Sequence, residues 1–540
     1  MKNKFFSING MLPVLAMLFA ITYSCETTDL DVNDDPNALT VSSADPNFVL
    51  NGIQLTFAVQ HTGLSGLTSD MVRHVNQFGT YASNAGTGAM NGAWSNTYSI
   101  TTNLDLLKEI SAIRNLPNHV GIGQVLEAFA YVNLVDMIGT AVYSEAVNGD
   151  FPMPNLDDGE SIYDAMFDQL DEAIVNLNAT GSIQPEDIFY DGDLSKWVDL
   201  ANTLKIKMYV STKLTNMSGA AAAVNAIVGT GNFISTEAGD FQGQYGVSQT
   251  NPDTRHPYFT TDYINAANQY QSNQFMYMLK DEKGFEDPRL PYYIYRQTLL
   301  SPLEVGANLG IGTTLLPCSG NAAYDYCYVG DGYWGRDHAD DEGIPNDGAY
   351  RAAYGIYPGG GAFDQGLGGT TTTSTNLGGA GIHPMLTASF THFMLAEAAL
   401  PAPAGLGVAA NPRTLLEAGV RLSMEKVANF SGIAMDSDNV NDYVSIVMNN
   451  YDAAASDQER LEVIMKEYYL ALYGNGLEAY NNYRRTGYPD LQGVVISGTT
   501  FPRSFYLPSS ELNSNDNPDL VQKSLTDQVF WDTNPANFID

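Results

Sequence analysis

The sequence predicts a mainly α-helical protein, with helical pairs forming a scaffold and a large irregular, loop-rich half set within it. Three observations predict this. Apolar residues recur with the 3.6-residue helical period over long stretches on both sides of the chain's middle. Pairs of these stretches stand about 35 to 40 residues apart, as the segments around Gln124 and Ile162 do, which is the spacing of degenerate tetratricopeptide-like units. Between about residues 229 and 381 the period gives way to Gly, Asn, Tyr, Asp and Pro, and the run GGGAFDQGLGGTTTTSTNLGGAG reads as structure built from loops.

The chain opens with an export signal. Lys2 and Lys4 make a basic start, Met11 to Ile21 is apolar, and Ser24 precedes Cys25. So short an apolar run, interrupted by Pro13, does not span a bilayer. Residues 1–24 are therefore expected to be removed. The run ITYSC is similar to a bacterial lipoprotein signal, with Thr22 and Tyr23 replacing the usual small aliphatic pattern, and it implies acylation of Cys25. Several acyl chains, at about 0.8 kcal/mol per buried methylene, hold a protein on a membrane where one chain does not. Simple secretion with an incidental Cys25 is the alternative. Glu26, Asp29, Asp31, Asp34 and Asp35 make residues 25–44 an acidic tether. One domain is expected over 45–540, with the scaffold at about 45–215 and 384–485, the loop-rich half at about 229–381 and an irregular C-terminal segment at about 486–540.

Each scaffold helix has its own pattern. In SIYDAMFDQLDEAIVNL, Ile162, Met166, Leu170, Ala173, Ile174 and Leu177 share one face, and Asp164, Asp168, Asp171 and Glu172 the other. GQVLEAFAYVNLVDMIG carries the same period through Val125, Phe129, Val132 and Val135. In DLSKWVDLANTLKIKM, Asp193 or Ser195 is placed to cap a helix and Trp197 to pack beneath it. MLTASFTHFMLAEAAL, NPRTLLEAGVRLSMEKVANF and ERLEVIMKEYYLALYGNGLEAYNNYR complete the series. Arg484 and Arg485 are expected to pair with buried acids or helix C-termini.

Composition narrows the function. The chain holds 25 basic and 61 acidic residues, a net charge of −36, and losing Lys2 and Lys4 with the signal makes it more negative. Nucleic acid, which needs a basic footprint, is excluded, and neutral ligands are favoured over polyanions. Cys318 and Cys327 are expected to form a disulfide, because export permits one and no second Cys/His pair at zinc spacing lies nearby. The sequence has no Gly-x-Ser-x-Gly elbow, phosphate loop or HExxH. No carboxylate pair stands out for glycoside hydrolysis. No cofactor is implied. The run GRDHADDEGIPND offers Asp340, Asp341, Glu342 and Asp347 as weak calcium candidates, against the plainer reading of a solvated acidic loop around His338.

Motifs along nearly the whole chain then carry a resemblance. In order they are DLDVNDDPNA, NLVDMIGTAVYSEA, SIYDAMFDQLDEAIVNL, DGDLSKWVDLANTLKIKM, EDPRLPYY, GIYPGGGAFD, HPMLTASFTHFMLAEAAL, EAGVRLSMEKV, YNNYRRTGYPDL and PRSFYLPSSELNSN. Their order and spacing resemble the SusD/RagB-like outer-membrane nutrient-binding lipoproteins. The resemblance implies tetratricopeptide-like pairs with a loop-rich side, and a lipid-anchored cell-surface location. It also implies a partner, a TonB-dependent (SusC-like) outer-membrane barrel to which captured glycan or peptide is handed. The helical face would dock, and the loops would meet ligand. A peptide-binding subunit, a surface polysaccharide hydrolase and a purely structural subunit are the alternatives.

Sugar sites combine aromatic rings with hydrogen-bonding side chains. Of the 32 tyrosines, those in loops are the better candidates. Tyr324, Tyr326, Tyr328, Tyr333 and Trp334 cluster around the expected disulfide, with Asp331, Arg336 and Asp337 beside them. Trp94, with Asn91 and Asn96, forms a second group, although Tyr98 four residues on also fits helix packing. On a loop, Trp334 is expected to serve the ligand more than the fold.

Overall fold

Helices form where the apolar period places them. The computed structural model describes residues 41, 43–215, 218–343, 345–495 and 500–539. The export signal, Cys25 and nearly all of the acidic tether lie outside the described residues. The first part of the scaffold comprises α1 (Pro46–Met71), α2 (Asn91–Arg114), α3 (Pro117–Ile138), α4 (Gly159–Leu177) and α5 (Leu194–Ser211). The second comprises α6 (Ala388–Ala399), α7 (Pro412–Ser431), α8 (Ser437–Ala453), α9 (Asp457–Ala471) and α10 (Gly476–Thr486). Successive helices pack on one another within each part, α5 packs on α6 across the insertion, and α10 returns to α1. No helix of the described residues is long and apolar enough to cross a membrane.

Capping follows the sequence. The Asp158 side chain accepts from the Ser161 N–H at the start of α4, and Asp193 from that of Ser195 at the start of α5. Ile162, Met166, Leu170, Ala173 and Leu177 are buried along α4, and each large apolar side chain so placed stabilises by roughly 1.5–3 kcal/mol. Helix α3 departs from the one-faced pattern expected of it. Every residue from Asn118 to Ile138 is buried, because α1, α2, α4 and α5 surround it. A Cβ on Gly121 would stand 2.9 Å from Leu177 Cγ, so glycine permits the close approach of α3 and α4.

Polar residues inside this core are paired. Lys207 Nζ lies 3.2 Å from Asp136 Oδ2 and 3.1 Å from Glu478 Oε2. Burial opposes its charge, yet the two carboxylates outweigh burial and hold its pKa up. Asp136 also accepts from Trp531 Nε1 at 2.9 Å, Asn481 Nδ2 at 3.0 Å and the Tyr163 hydroxyl, while its backbone oxygen accepts from Arg484 Nη2 at 2.6 Å. Arg485 pairs with Glu397, which Lys213 also contacts at 2.7 Å. Both arginines thus sit as the sequence suggests, one on an acid and one on backbone near a helix C-terminus.

The loop-rich half leaves the scaffold after α5 and returns as a strand. Here β1 (Phe241–Gln244) pairs antiparallel with β2 (Ile382–Leu386), in register Gly243 to His383. Short helices interrupt the loops, among them Asn273–Lys280 and Pro302–Leu309. Arg289 ties this half to the scaffold, reaching Asp287 at 2.6 Å, Glu467 at 3.2 Å and the Ser423 hydroxyl at 2.8 Å. The C-terminal segment holds one short helix, Ser509–Ser514, and inserts Trp531 fully into the core.

Candidate functional site

The disulfide loop is braced from several sides. Cys318 and Cys327 are bonded, with their Cα atoms 5.7 Å apart. Inside the bend, the Asp337 carboxylate accepts from the N–H groups of Tyr326 (3.0 Å) and Cys327 (2.9 Å) and from the side-chain amides of Asn273 (2.6 Å) and Gln492 (3.1 Å). Four donors on one buried carboxylate fix the path of the loop. Arg336 braces the next turn. Its Nη1 approaches Asp340 Oδ2 at 3.3 Å and its Nη2 donates to the Gly343 oxygen at 2.9 Å. Its guanidinium lies 4.5 Å from the Tyr270 ring centre, and that of Arg351 lies 3.7 Å away.

Several predicted ligand residues therefore hold the site and do not face it. Trp334 is 3% exposed, packs with Val305, Leu315 and Tyr350, and donates from Nε1 to the Leu300 oxygen at 2.8 Å. Its chain position on a loop misled, because this loop folds back on a small core of its own. Tyr333 is buried under the Arg296 guanidinium at 4.6 Å. Gly332 makes this possible, since its φ is +86° and a Cβ would stand 2.1 Å from the Thr298 oxygen. Arg336 and Asp337 are buried braces, as described above. Trp94 is also a packing residue, 4% exposed, against Tyr98 and bonded to Glu511. Asn91 contacts Ser509 and Ser510 at the start of the short C-terminal helix, and Asn96 is half-buried on α2.

The calcium candidates are similarly committed. Asp340 faces Arg336, and Asp347 accepts from Arg351 Nε and from the Tyr270 hydroxyl, both at 2.9 Å. Asp341 and Glu342 are exposed. Among the described residues no group of three or more His, Cys, Asp or Glu side chains is arranged to hold a metal ion.

What remains at the surface is a run of half-exposed rings. Tyr324 donates to Asp340 Oδ1 at 2.9 Å, and burial, followed by the adjoining carboxylates, raises its pKa. Tyr326 lies 5.1 Å from Tyr277, and burial pushes its phenol up to about 12. Tyr328 closes the bend by accepting from the Gly332 N–H at 2.7 Å. Asp331 is exposed and pairs with Lys280 at 3.0 Å. Sequence reasoning missed Phe78. A parallel bridge from Phe78 to Ala339 brings it to this loop, where its ring is 36% exposed. Arg336 lies 5.4 Å from that ring and Tyr270 meets it edge-on at 5.7 Å. Phe78 and Tyr324 are thus linked through the Arg336–Asp340 pair. The only sequence signal was an aromatic in the polar run RHVNQFGTYASN between two helices. Neutral phenols, acidic acceptors and one platform ring can stack on and hydrogen-bond an uncharged, hydroxyl-rich ligand.

A family model described as "Starch-binding associating with outer membrane" matches residues 36–508. No curated protein matches the chain by sequence. Among solved structures, a SusD homolog from Bacteroides fragilis superposes with a TM-score of 0.65 at 20% identity, covering 87% of this chain and 93% of that one. A chitin-binding SusD homolog from Flavobacterium johnsoniae gives 0.65 at 18% identity, covering 91% and 99%. A SusD homolog from Bacteroides uniformis gives 0.63 at 19% identity, covering 91% and 99%. At such identities the superpositions speak for the fold, mainly α with an irregular half, and the family match extends over most of the sequence. The chain belongs to the SusD-like family.

Proposed function

We propose that this protein is a non-enzymatic, lipid-anchored cell-surface protein that captures neutral oligosaccharide and delivers it to a TonB-dependent outer-membrane barrel. The observation that carries the reading is the braced aromatic surface of Phe78, Tyr324 and Tyr326, in a chain whose family is described as starch-binding at the outer membrane. A ring platform held in place before binding loses little entropy when a sugar stacks on it. The carboxylates beside it are acceptors for hydroxyl groups, and the strongly negative chain disfavours anionic glycans.

Calorimetry with starch- and chitin-derived oligosaccharides tests the reading. Binding without product release is expected, and Phe78→Ala or Tyr324→Ala should weaken it by about tenfold or more, about 1.4 kcal/mol, with the fold intact. Turnover of the glycan favours a hydrolase, and binding confined to peptides favours a peptide-uptake role. Wild-type affinity in both variants places the site elsewhere. Anchoring and partnership are read separately, by the mass of the mature N-terminus at Cys25 and by recovery of a barrel protein from native membranes.

A further inference from the structure

A cleft of about 520 Å³ opens between α1 and the β1–β2 sheet, and it shares no residue with the disulfide loop. Its first wall is a stripe of α1 at helical spacing, with Leu55, Val59 and Gly63. Its second is one face of the sheet. Gly243 stands there opposite His383, with Met385 two residues along β2 and Tyr245 just past the end of β1. Ile188 and Phe189 also line it.

Two glycines make the room. A Cβ on Gly63 would meet nothing within 4 Å, and one on Gly243 would make ordinary contacts with Met385 Cε at 3.5 Å and His383 Cβ at 3.6 Å. In a chain with 61 acidic residues, no Asp, Glu, Lys or Arg among the described residues lines this cleft. Burial holds the His383 pKa down at about 4, so its ring is neutral at neutral pH, and that ring is bonded to His61 at 2.8 Å. Leu55, Val59 and Ile188 are 58%, 63% and 45% exposed, which leaves apolar surface in water. Polar groups are few, and two of them, the Tyr245 and Thr62 hydroxyls, lie together at 3.4 Å.

We infer that this cleft is a second binding site, for an uncharged and mainly apolar small molecule whose polar end meets the Tyr245 and Thr62 hydroxyls. Its volume falls within the range of about 300–1,000 Å³ usual for small-molecule pockets, and apolar walls with a few convergent polar groups are their usual make-up. The absence of lining charge selects against ionised ligands, whose desolvation nothing in the cleft would offset. The concavity between helix and sheet, opened at two glycines, suits a compact molecule better than a broad protein surface.

Titration of the full chain with the neutral fluorophore N-phenyl-1-naphthylamine tests this. Saturable binding is expected, weakened at least about tenfold by Gly63→Leu and unchanged by Phe78→Ala. Gly63 is exposed on α1 and its new side chain enters open space, so the variant is expected to melt like the wild type. If it does not, Val59→Asp at the rim provides the same test through charge. Absence of saturable binding, or binding untouched by the cleft variants, overturns the inference. So does a dimer, seen by sedimentation, that Gly63→Leu dissociates, because a second copy of the chain would then cover this face. Failure here leaves the glycan site standing, since Phe78→Ala reads that site alone.

Discussion

Two buried carboxylates show how differently the two halves of the molecule are held. In the scaffold, Glu397 lies between Lys213 and Arg485, side chains brought together from distant parts of the chain. In the loop-rich half, Asp337 accepts from two consecutive backbone N–H groups and two side-chain amides. A charge pair joins helices and demands that both partners be present. A carboxylate ringed by amides instead templates the path of the backbone. Long-range charge pairs thus join the scaffold helices, whereas Asp337 fixes the turn of the disulfide loop.

Paired substitutions should break this contrast first. Glu397→Ala strands two cations in the core and should cost about 3–5 kcal/mol in chemical denaturation. Trp334→Ala should cost about 3–5 kcal/mol at its own site, because the ring fills a small core bounded by Val305, Leu315 and Tyr350. Hydrogen exchange is expected to show the first loss throughout the helices and the second concentrated between residues 290 and 355. Uniform loosening by Trp334→Ala would show that the halves unfold as one.

The response to pH should differ in sign. Burial raises Asp262 to about 6, only partly opposed by the N–H groups of Gln269, Tyr354 and Asn268. Its contribution is whole below the unfolded value of 3.8 and is lost as pH rises through about 6, a change of about 3 kcal/mol. Burial would raise Glu397 too, but Arg485 and Lys213 outweigh it and hold the group below 4.5. Its contribution is present above 4.5 and is lost as pH falls through the lower folded value. The deficit of Asp262→Asn should therefore be larger near pH 4 than near pH 8, and that of Glu397→Gln larger near pH 7 than near pH 3.5, in melts against wild type. Parallel profiles would remove the distinction.

The smallest effect sharpens the contrast. Replacing Cys318 and Cys327 with Ser should cost at most about 2–3 kcal/mol in the chain-entropy model, because Asp337 still holds the bend. Glycan affinity should fall less than in Phe78→Ala. A larger fall would make the disulfide, and not the carboxylate, the main brace.

The scaffold was legible in sequence because helix formation and one-sided burial leave a local period. The face of α4, the cap at Asp193 and the roles of Arg484 and Arg485 all followed from it. The burial of α3 on every side did not, since a helix surrounded by others keeps polar residues wherever a partner exists, as Asp136 has. In the site, the disulfide and the half-exposed Tyr324 and Tyr326 were readable from their clustering. Trp334 is buried and Phe78 is partly exposed, for a reason the chain order hides. Which ring faces water depends on long-range packing, here of the Val305–Leu315 segment under one and the bridge to Ala339 beside the other.

The setting of Asp136 bears on how the chain completes itself. Its partners come from Tyr163, Lys207, Asn481 and finally Trp531, so no partial chain can satisfy it. A protein that emerges in order would hold this carboxylate wet, and α3 unsealed, until Trp531 arrives. Contacts of such sequence separation form slowly. The segment around Trp531 then acts as a latch, and during biosynthesis an unlatched molecule, still showing water the otherwise buried helix α3, is the form that chaperones and proteases would recognise.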